Sequence, residues 1–298
     1  MKLLVTGGLG YIGSHFVVES LTMGCEVVVI DNLSNSSIDV KDKIEKITKT
    51  AIKFFEADIR DTLVLSQVLK EENVDLVVHF AGVKSVHEST TTPLKYYDHN
   101  VVGTLSLLKA MDENNVHNLI FSSSAAVYGT PKYLPIDEDH YRSAQSPYGN
   151  TKLQIECILE DLHNSNPEWS ICMLRYFNPL GSHDSGLLGD APAGIPNNLM
   201  PYIANVAIGV FDHLMIYGND YDTSDGTGVR DYIHVVDLAK GHLDAIGFIL
   251  ESKNIFEAIN LGTGLGTSVL ELVQVFEKVN HIKIPKKIAP RRKGDVAS

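Results

Sequence analysis

The chain has 298 residues, of which 44% are hydrophobic and 21% charged, a balance that suits one large or two modest globular domains and excludes an intrinsically disordered chain. The formal net charge is −12, which argues against a nucleic-acid role, because a phosphate backbone needs a basic surface. No apolar window approaches the length of a membrane span, and the run from Met1 to Thr6 is too short for a signal sequence, so a cytoplasmic protein is expected.

Strand-like and helix-like segments alternate from the first residue. Residues 2–6 read as a strand, 12–22 as a helix and 26–30 (EVVVI) as a fully apolar strand, followed by a polar loop from Asn32 to Ser37. Residues 40–48 read as a helix, 53–57 as a strand, 62–72 as a helix and 75–80 (DLVVHF) as a strand. Pro93 opens a helical stretch that runs to about Asn114. Residues 118–122 (NLIFS) form a strand, 149–164 a helix and 170–176 (SICMLRY) a strand. Short apolar strands separated by helices are βαβ units, which build a parallel sheet covered on both faces. The expected fold is therefore α/β, with a Rossmann-type doubly wound sheet over residues 1–178.

After Asn178 the texture changes to Gly, Pro and Asp (NPLGSHDSGLLGDAPAGIPNN), which reads as a binding loop or cap. An apolar segment at 214–217, a helix at 236–250, a strand near 258–261 and a helix at 268–279 follow. Residues 179–298 are expected to form a smaller C-terminal lobe facing the substrate, some of whose strands return to the main sheet. Cys25, Cys157 and Cys172 are scattered, with no C-x-x-C, so neither a disulfide framework nor a zinc site is indicated and buried thiols are expected.

The first strand runs into Gly7-Gly8-Leu9-Gly10-Tyr11-Ile12-Gly13, which satisfies G-x-G-x-x-G from Gly8 to Gly13. Such glycines permit a tight turn and bring main-chain N–H groups and a helix N-terminus close to a pyrophosphate. Asp31, at the end of the second strand and 18 residues after Gly13, can accept both ribose hydroxyls, and its charge opposes a 2′-phosphate. NAD is therefore the expected cofactor. Asp58-Ile59, after the third strand, is placed to reach the adenine, although Asp58 alone reads equally well as a loop cap.

Tyr148-Gly149-Asn150-Thr151-Lys152 is a Y-x-x-x-K sequence, and residues i and i+4 share a helix face. An ammonium beside a phenol favours the phenolate, which makes Tyr148 a general base near neutral pH. Ser122, Ser123 and Ser124 lie at the carboxyl end of the fifth strand, where ligands bind in such sheets and where a hydroxyl can pass a proton to the tyrosine.

The runs TGGLGYIGSH, DNLSNS, HFAGVKSV, FSSSAAVYG, SPYGNTK, LRYFNPLGSH, GIPNNLMPYI, GTGVRDYIHVVDLAKGH, INLGTG and APRRKGDVA occur in this order. On these the chain resembles the UDP-glucose 4-epimerases of the extended short-chain dehydrogenase/reductase family, over essentially its whole length. The resemblance implies that Tyr148 takes the proton of the sugar 4-hydroxyl while the C4 hydride passes to NAD. It also implies that Lys152 lowers the tyrosine pKa and holds the nicotinamide ribose, and that Ser124 relays the proton. The 4-keto sugar then turns about its diphosphate link and hydride returns to the other face, interconverting UDP-galactose and UDP-glucose.

The same resemblance implies cofactor contacts at Tyr11, Ile12, Asp31, Asn32, Asn35, Ser36, Asp58, Ile59, Phe80, Ala81, Gly82, Lys84, Asn100, Ser122 and Phe177. It implies that Phe177 and Asn178 border the sugar and diphosphate, with Lys84 also at the substrate. Asn198 and Leu199 are implied at the nucleotide, and Arg230 and Arg292 as clamps on the diphosphate, for which a forked guanidinium is suited. A homodimer is implied, through the helices at about 93–114 and 147–164.

Three positions depart from the family pattern. His87 stands in place of glycine, His99 in place of asparagine, and Ala126 in place of threonine. Neither histidine has the spacing of a metal site. Relatives continue some tens of residues beyond GDVA, so the C-terminal lobe is expected to be shortened. Two rival readings remain. Another UDP-sugar enzyme of the same fold, such as a dehydratase, would need an acid beside the catalytic hydroxyl, where Ala125 and Ala126 stand. A non-catalytic NAD-binding protein would not need Ser124, Tyr148 and Lys152.

Overall fold

The computed structural model describes residues 1–298 apart from Ala193, Ile195, Asn197, Lys253 and Lys293. Ile195, Asn197 and Lys293 belong to the runs GIPNNLMPYI and APRRKGDVA, so those parts of the two motifs lie outside the described residues.

The elements follow in chain order: β1 (Lys2–Thr6), α1 (Tyr11–Thr22), β2 (Glu26–Asp31), α2 (Asp39–Thr48), β3 (Lys53–Glu56), α3 (Thr62–Glu72), β4 (Leu76–His79), α4 (Val86–Thr91), α5 (Pro93–Tyr96), α6 (Gly103–Glu113) and β5 (Asn118–Ser124). Then come α7 (Pro147–Ser165), β6 (Ser170–Tyr176), β7 (Asn178–Leu180), α8 (Leu199–Ala207), β8 (Leu214–Tyr217), β9 (Val229–His234), α9 (Val235–Glu251), β10 (Phe256–Leu261), β11 (Gly266–Ser268), α10 (Val269–Asn280) and β12 (Lys286–Ala289). No described helix is long and apolar enough to cross a membrane.

Seven strands form one sheet in the order β3-β2-β1-β4-β5-β6-β10, parallel throughout. Its strands are buried because helices cover both faces, which is why they read as continuous apolar runs and not as alternating ones. On one face Phe16 and Val17 of α1, Ile44 of α2 and Leu238 and Ile246 of α9 form a core with the strands. On the other, Leu65 and Val68 of α3, Leu107 and Met111 of α6 and Ile155 and Leu159 of α7 do the same. The strand order reverses between β1 and β4, and a ligand binds outside the carboxyl ends of the strands at such a point.

The seventh strand comes from the part of the sequence assigned above to the second lobe. β10 pairs with β6 in register from Phe256↔Ile171 to Leu261↔Tyr176, and α9 is packed in the core with α1. The division at residue 178 thus follows chain order, while the compact unit reclaims residues 235–261. What remains is a smaller body around Ile203, Val206, Leu214, Ile216, Val273 and Ile284, with β8 beside β12 and β9 between β7 and β11.

The helical stretch expected from Pro93 to about Asn114 is present, as α5, a π-helical turn and α6 in unbroken succession. Pro93 cannot continue α4, so Thr92 leaves the helical region (φ −129°, ψ 54°) and α5 starts afresh with proline in its first turn. Tyr97–Val102 is then π-helical. The wider turn absorbs one extra residue and re-aims the side chains, a feature frequent at functional sites. The expectation of buried thiols holds only for Cys172: Cys25 is half-buried and Cys157 is exposed on the outer side of α7.

Candidate active site

At Gly7 and Gly13 the glycine loop leaves no room for a side chain. A Cβ on Gly13 would come 2.3 Å from the Gly7 carbonyl oxygen, and one on Gly7 (φ +68°) would come 2.7 Å from Ala81 N. The loop therefore lies as close to α1 and to the end of β4 as bare backbone permits, which is the form of a phosphate cradle. Beside it, Asp31 is buried at the end of β2. One carboxylate oxygen accepts from Leu9 N (3.1 Å), and the other from Leu33 N (2.9 Å) and Ser36 Oγ (2.8 Å). Each oxygen of a carboxylate has two lone-pair sites, so capacity remains for a ribose hydroxyl. The cradle and the oriented carboxylate fit a dinucleotide.

Asp58 is engaged more fully. Its carboxylate accepts from Arg60 N (3.0 Å), Nε (2.9 Å) and a terminal nitrogen (2.8 Å), and from Asn32 Nδ2 (3.0 Å). The Arg60 bonds hold its carboxyl below the usual carboxylate range. Asp58 thus closes its own loop, as its alternative reading had it, and Ile59 is buried against Gly103. Asn32 and Asn35 are exposed on the β2–α2 loop, and Phe80 packs between Phe16 and His242.

Asn100 sits in the π-helical turn and is 2% exposed. Its amide donates to the Val83 carbonyl (3.0 Å) and Thr151 Oγ1 (3.0 Å) and accepts from Val83 N (2.8 Å). It also limits Gly82, whose Cβ would lie 2.9 Å from Asn100 Oδ1. One buried amide thereby fixes the loop that carries Ala81, Gly82 and Lys84 and joins it to α7.

Ser146 caps α7 by accepting from Gly149 N (3.1 Å), with Pro147 in the first turn. This start places Tyr148 beside Ser124, where β5 ends. Burial pushes the Tyr148 phenol up, and the bond from Ser124 pulls it down. Lys152 is 5% exposed, and its ammonium donates to the Ser122 carbonyl (2.6 Å). Burial lowers its pKa to about 8, opposed by the charge of Glu156. Glu156 itself is wholly buried and accepts from Ser123 Oγ (2.5 Å), Arg142 (3.1 Å) and Arg175 (3.0 and 2.9 Å).

A cavity of about 870 Å³ opens in front of this group. It brings together Ile12, Lys84, Ser124, Tyr148, Phe177, Asn178, Asn198, Arg230 and Arg292, which are far apart in the sequence. Lys152 lies behind Tyr148 and outside the lining. Leu199 also lies outside it and packs with the core of the smaller lobe. Arg230 donates to the Val229 carbonyl (2.7 Å) and lies 4.0 Å from Asp295, to which Arg292 donates (2.9 Å). His87 and Ala126 line the cavity, whereas His99 turns back to the Lys95 carbonyl (2.9 Å).

Several lining residues carried no sequence signal of their own. Asp231 accepts from Thr263 N (2.9 Å), Thr263 Oγ1 (2.7 Å) and Gly264 N (2.7 Å), and so shapes the 262–266 wall. Asn260 accepts from Tyr128 OH (2.7 Å) and donates to the Ile136 carbonyl (3.2 Å), fixing the opposite wall. Tyr176 lines the floor with its hydroxyl on His242. Their partners are 32 to 132 residues away, which no local pattern reveals.

The sequence matches the model of the NAD dependent epimerase/dehydratase family over residues 3–262. It is 53% identical over 298 residues to the UDP-glucose 4-epimerase of Bacillus subtilis, covering 100% of this chain and 88% of that one. The corresponding protein of Dictyostelium discoideum is 54% identical over 297 residues, at 100% and 86% coverage. Among solved structures, the UDP-glucose 4-epimerase of Bifidobacterium longum in complex with NAD+ and UDP superposes with a TM-score of 0.97 at 51% identity, over 100% of this chain and 88% of that one. The enzyme of Stenotrophomonas maltophila with bound NAD and formylated UDP-arabinopyranose gives 0.96 at 49% identity, with the same two coverages.

Proposed function

Because the chain belongs to the NAD dependent epimerase/dehydratase family, we propose that it is an isomerase that interconverts UDP-galactose and UDP-glucose by inverting C4, with NAD as its cofactor. The observation that carries this reading is one cavity lined both by Ser124 and Tyr148, which are hydrogen-bonded, and by Arg230 and Arg292, which share Asp295. The hydroxyls suit a sugar oxygen, and the guanidinium groups suit a diphosphate.

Gly7, Gly10, Gly13, Asp31 and Asn100 form the framework that would hold NAD, together with the loop from Phe80 to Lys84. NAD, when bound, supplies a reversible acceptor for the hydrogen on C4. Tyr148 takes the proton from the 4-hydroxyl and gives it back to the inverted 4-oxygen, acting as base and then as acid. Ser124 bonds the same oxygen and holds it towards the phenol. Lys152 stays mostly protonated at neutral pH, since its pKa is about 8, and its charge favours the phenolate. Arg230 and Arg292 keep the diphosphate anchored while the cavity leaves the sugar room to turn.

Of the lobe 179–298, residues 179–234 and 262–298 act as the substrate-facing part. The chain works as a homodimer in the cytoplasm. Leu94 and Val102, 82% and 45% exposed along α5 to α6, support a partner surface there, and equilibrium sedimentation yielding only monomer would remove it. The activity is tested by supplying UDP-galactose to the purified chain without added NAD. UDP-glucose formation is followed through UDP-glucose dehydrogenase. Steady turnover is expected, and a 4-keto-6-deoxy product or no UDP-glucose would overturn the assignment.

A further inference from the structure

Residues 181–190, which follow β7, read as a loop, yet they are tied down at several points. Tyr11 OH donates to the Gly181 carbonyl (2.7 Å). Ser182 bridges Gly189, His183 N donates to the Leu188 carbonyl (3.0 Å), and Leu188 is buried in the main core. These contacts place Asp190, whose side chain is only 9% exposed, between the two halves of the molecule. One carboxylate oxygen accepts from Asn198 Nδ2 at 2.6 Å. The other lies 4.0 Å from Lys84 Nζ.

Asn198 is the residue before α8, a position where asparagine ordinarily caps the helix through its side-chain oxygen. Here it makes no such bond, and its amide is turned to Asp190 instead. That choice has a chemical consequence. An amide can present either its oxygen or its nitrogen, but a carboxylate can only accept, so the pair fixes which end of Asn198 is which. With one N–H held by Asp190, the second N–H is left to the cavity that Asn198 lines together with Lys84, Arg230 and Arg292. A cavity lined by these cations suits an anionic group, and a reversed amide would present its oxygen to that group and repel it.

The structure assigns Asp190 as a positioning residue that orients the Asn198 amide N–H towards the diphosphate of the substrate. Its own charge is offset by Lys84, whose ammonium lies 4.0 Å from the carboxylate. The assignment rests on the UDP-sugar reading above and adds to it a residue that need not touch the sugar or the reacting atoms.

The test is calorimetric titration of UDP into the NAD-loaded full chain and into Asp190→Ala, Asn198→Ala and the double variant, with steady-state kinetics alongside. Asp190→Ala is expected to weaken UDP binding about tenfold, the size of a lost charge-assisted hydrogen bond. KM for UDP-galactose rises to match and kcat falls less than twofold. The double variant is expected to bind UDP no more weakly than Asn198→Ala, since both changes remove one contact. Asp190→Asn keeps an acceptor for the amide and is expected to restore binding to within threefold of the parent. Wild-type affinity in Asp190→Ala, multiplying losses in the double variant, or no rescue by asparagine would each overturn the assignment. Failure of the UDP-sugar reading itself is visible separately, as absence of UDP binding and turnover in the unaltered chain.

Discussion

Lys152 Nζ donates to the Ser122 carbonyl oxygen at 2.6 Å, so a single buried ammonium ties the helix that carries Tyr148 to the strand that ends in Ser124. The bond fixes where the charge sits relative to the phenol. Replacing Lys152 by methionine keeps the length of the side chain and removes the charge. Burial already holds the Tyr148 phenol above its ordinary value, and loss of the ammonium moves it further in the same direction. The expected result is a fall in kcat of about 10²–10³-fold, with the acidic limb of the pH–rate profile displaced to higher pH. An unshifted limb would separate Lys152 from the ionisation of the tyrosine.

Tyr148→Phe removes only the hydroxyl. Turnover is expected to fall about 10³-fold or more, while NAD stays bound, because the glycine cradle and Asp31 are untouched. The check is the coupled assay together with NAD released on denaturation. Activity near the parent level would show that another group is the base.

Glu156 is fully buried and shared by Arg175, Arg142 and Ser123. Arg175→Met leaves a carboxylate without its bidentate partner in the core, a change that costs about 3–5 kcal/mol. Urea unfolding should show a midpoint lowered accordingly. A loss below about 1 kcal/mol would mean that Arg142 and Ser123 suffice to hold the buried carboxylate.

Asp31→Ser replaces the charged carboxylate at the end of β2 by a shorter, neutral hydroxyl and removes the charge that opposes a 2′-phosphate. NAD affinity is expected to drop about tenfold or more, and the preference for NAD over NADP is expected to narrow. Fluorescence titration of the cofactor-stripped variant with both dinucleotides measures it. An unchanged ratio of the two affinities would remove Asp31 as the discriminating group.

His79 and His242 are both buried and neutral. His79 lies between Thr6 Oγ1 (2.7 Å) and Thr104 Oγ1 (2.9 Å). His242 Nδ1 bonds the Leu238 carbonyl (2.8 Å). Burial lowers their pKa values to about 3 and about 4, and the Lys152 charge adds to the lowering at His79. The unfolded chain takes up protons at these sites below about pH 6.5 and the folded chain does not, so stability is lost as pH falls from 6.5 towards 4. At pH 5 each histidine contributes about 2 kcal/mol of that loss. Urea midpoints at pH 7 and pH 5 test it, and His242→Gln should remove about half of the difference, leaving the part due to His79.

The strands, the cradle and the Tyr148–Lys152 pair were legible because each is a local pattern. EVVVI declares a strand buried on both faces, and four residues on a helix turn put Tyr148 and Lys152 on one side. The start at Pro93 was legible, but the π-helical turn around Asn100 was not, because a regular helix satisfies the same composition. The reason lies in tertiary contacts: Asn100 must reach Val83 and Thr151 at once. Cys157 escaped for the opposite reason, since which face of α7 meets solvent depends on what packs against it.

By itself the sequence determined the parallel α/β architecture, the glycine loop that only hydrogen side chains permit, and the chemistry available at Ser124, Tyr148 and Lys152. These follow from periodicity, steric room and functional groups, all carried by neighbouring residues. Tertiary structure alone decided that β10 would close the main sheet and that Arg230, Arg292 and Asn198 would share a cavity with Tyr148. It also turned Asn198 from its helix to Asp190. Those outcomes depend on pairing and burial between segments distant in the chain, where the competing partners of each strand and polar group are settled by the whole fold and not by its neighbours in sequence.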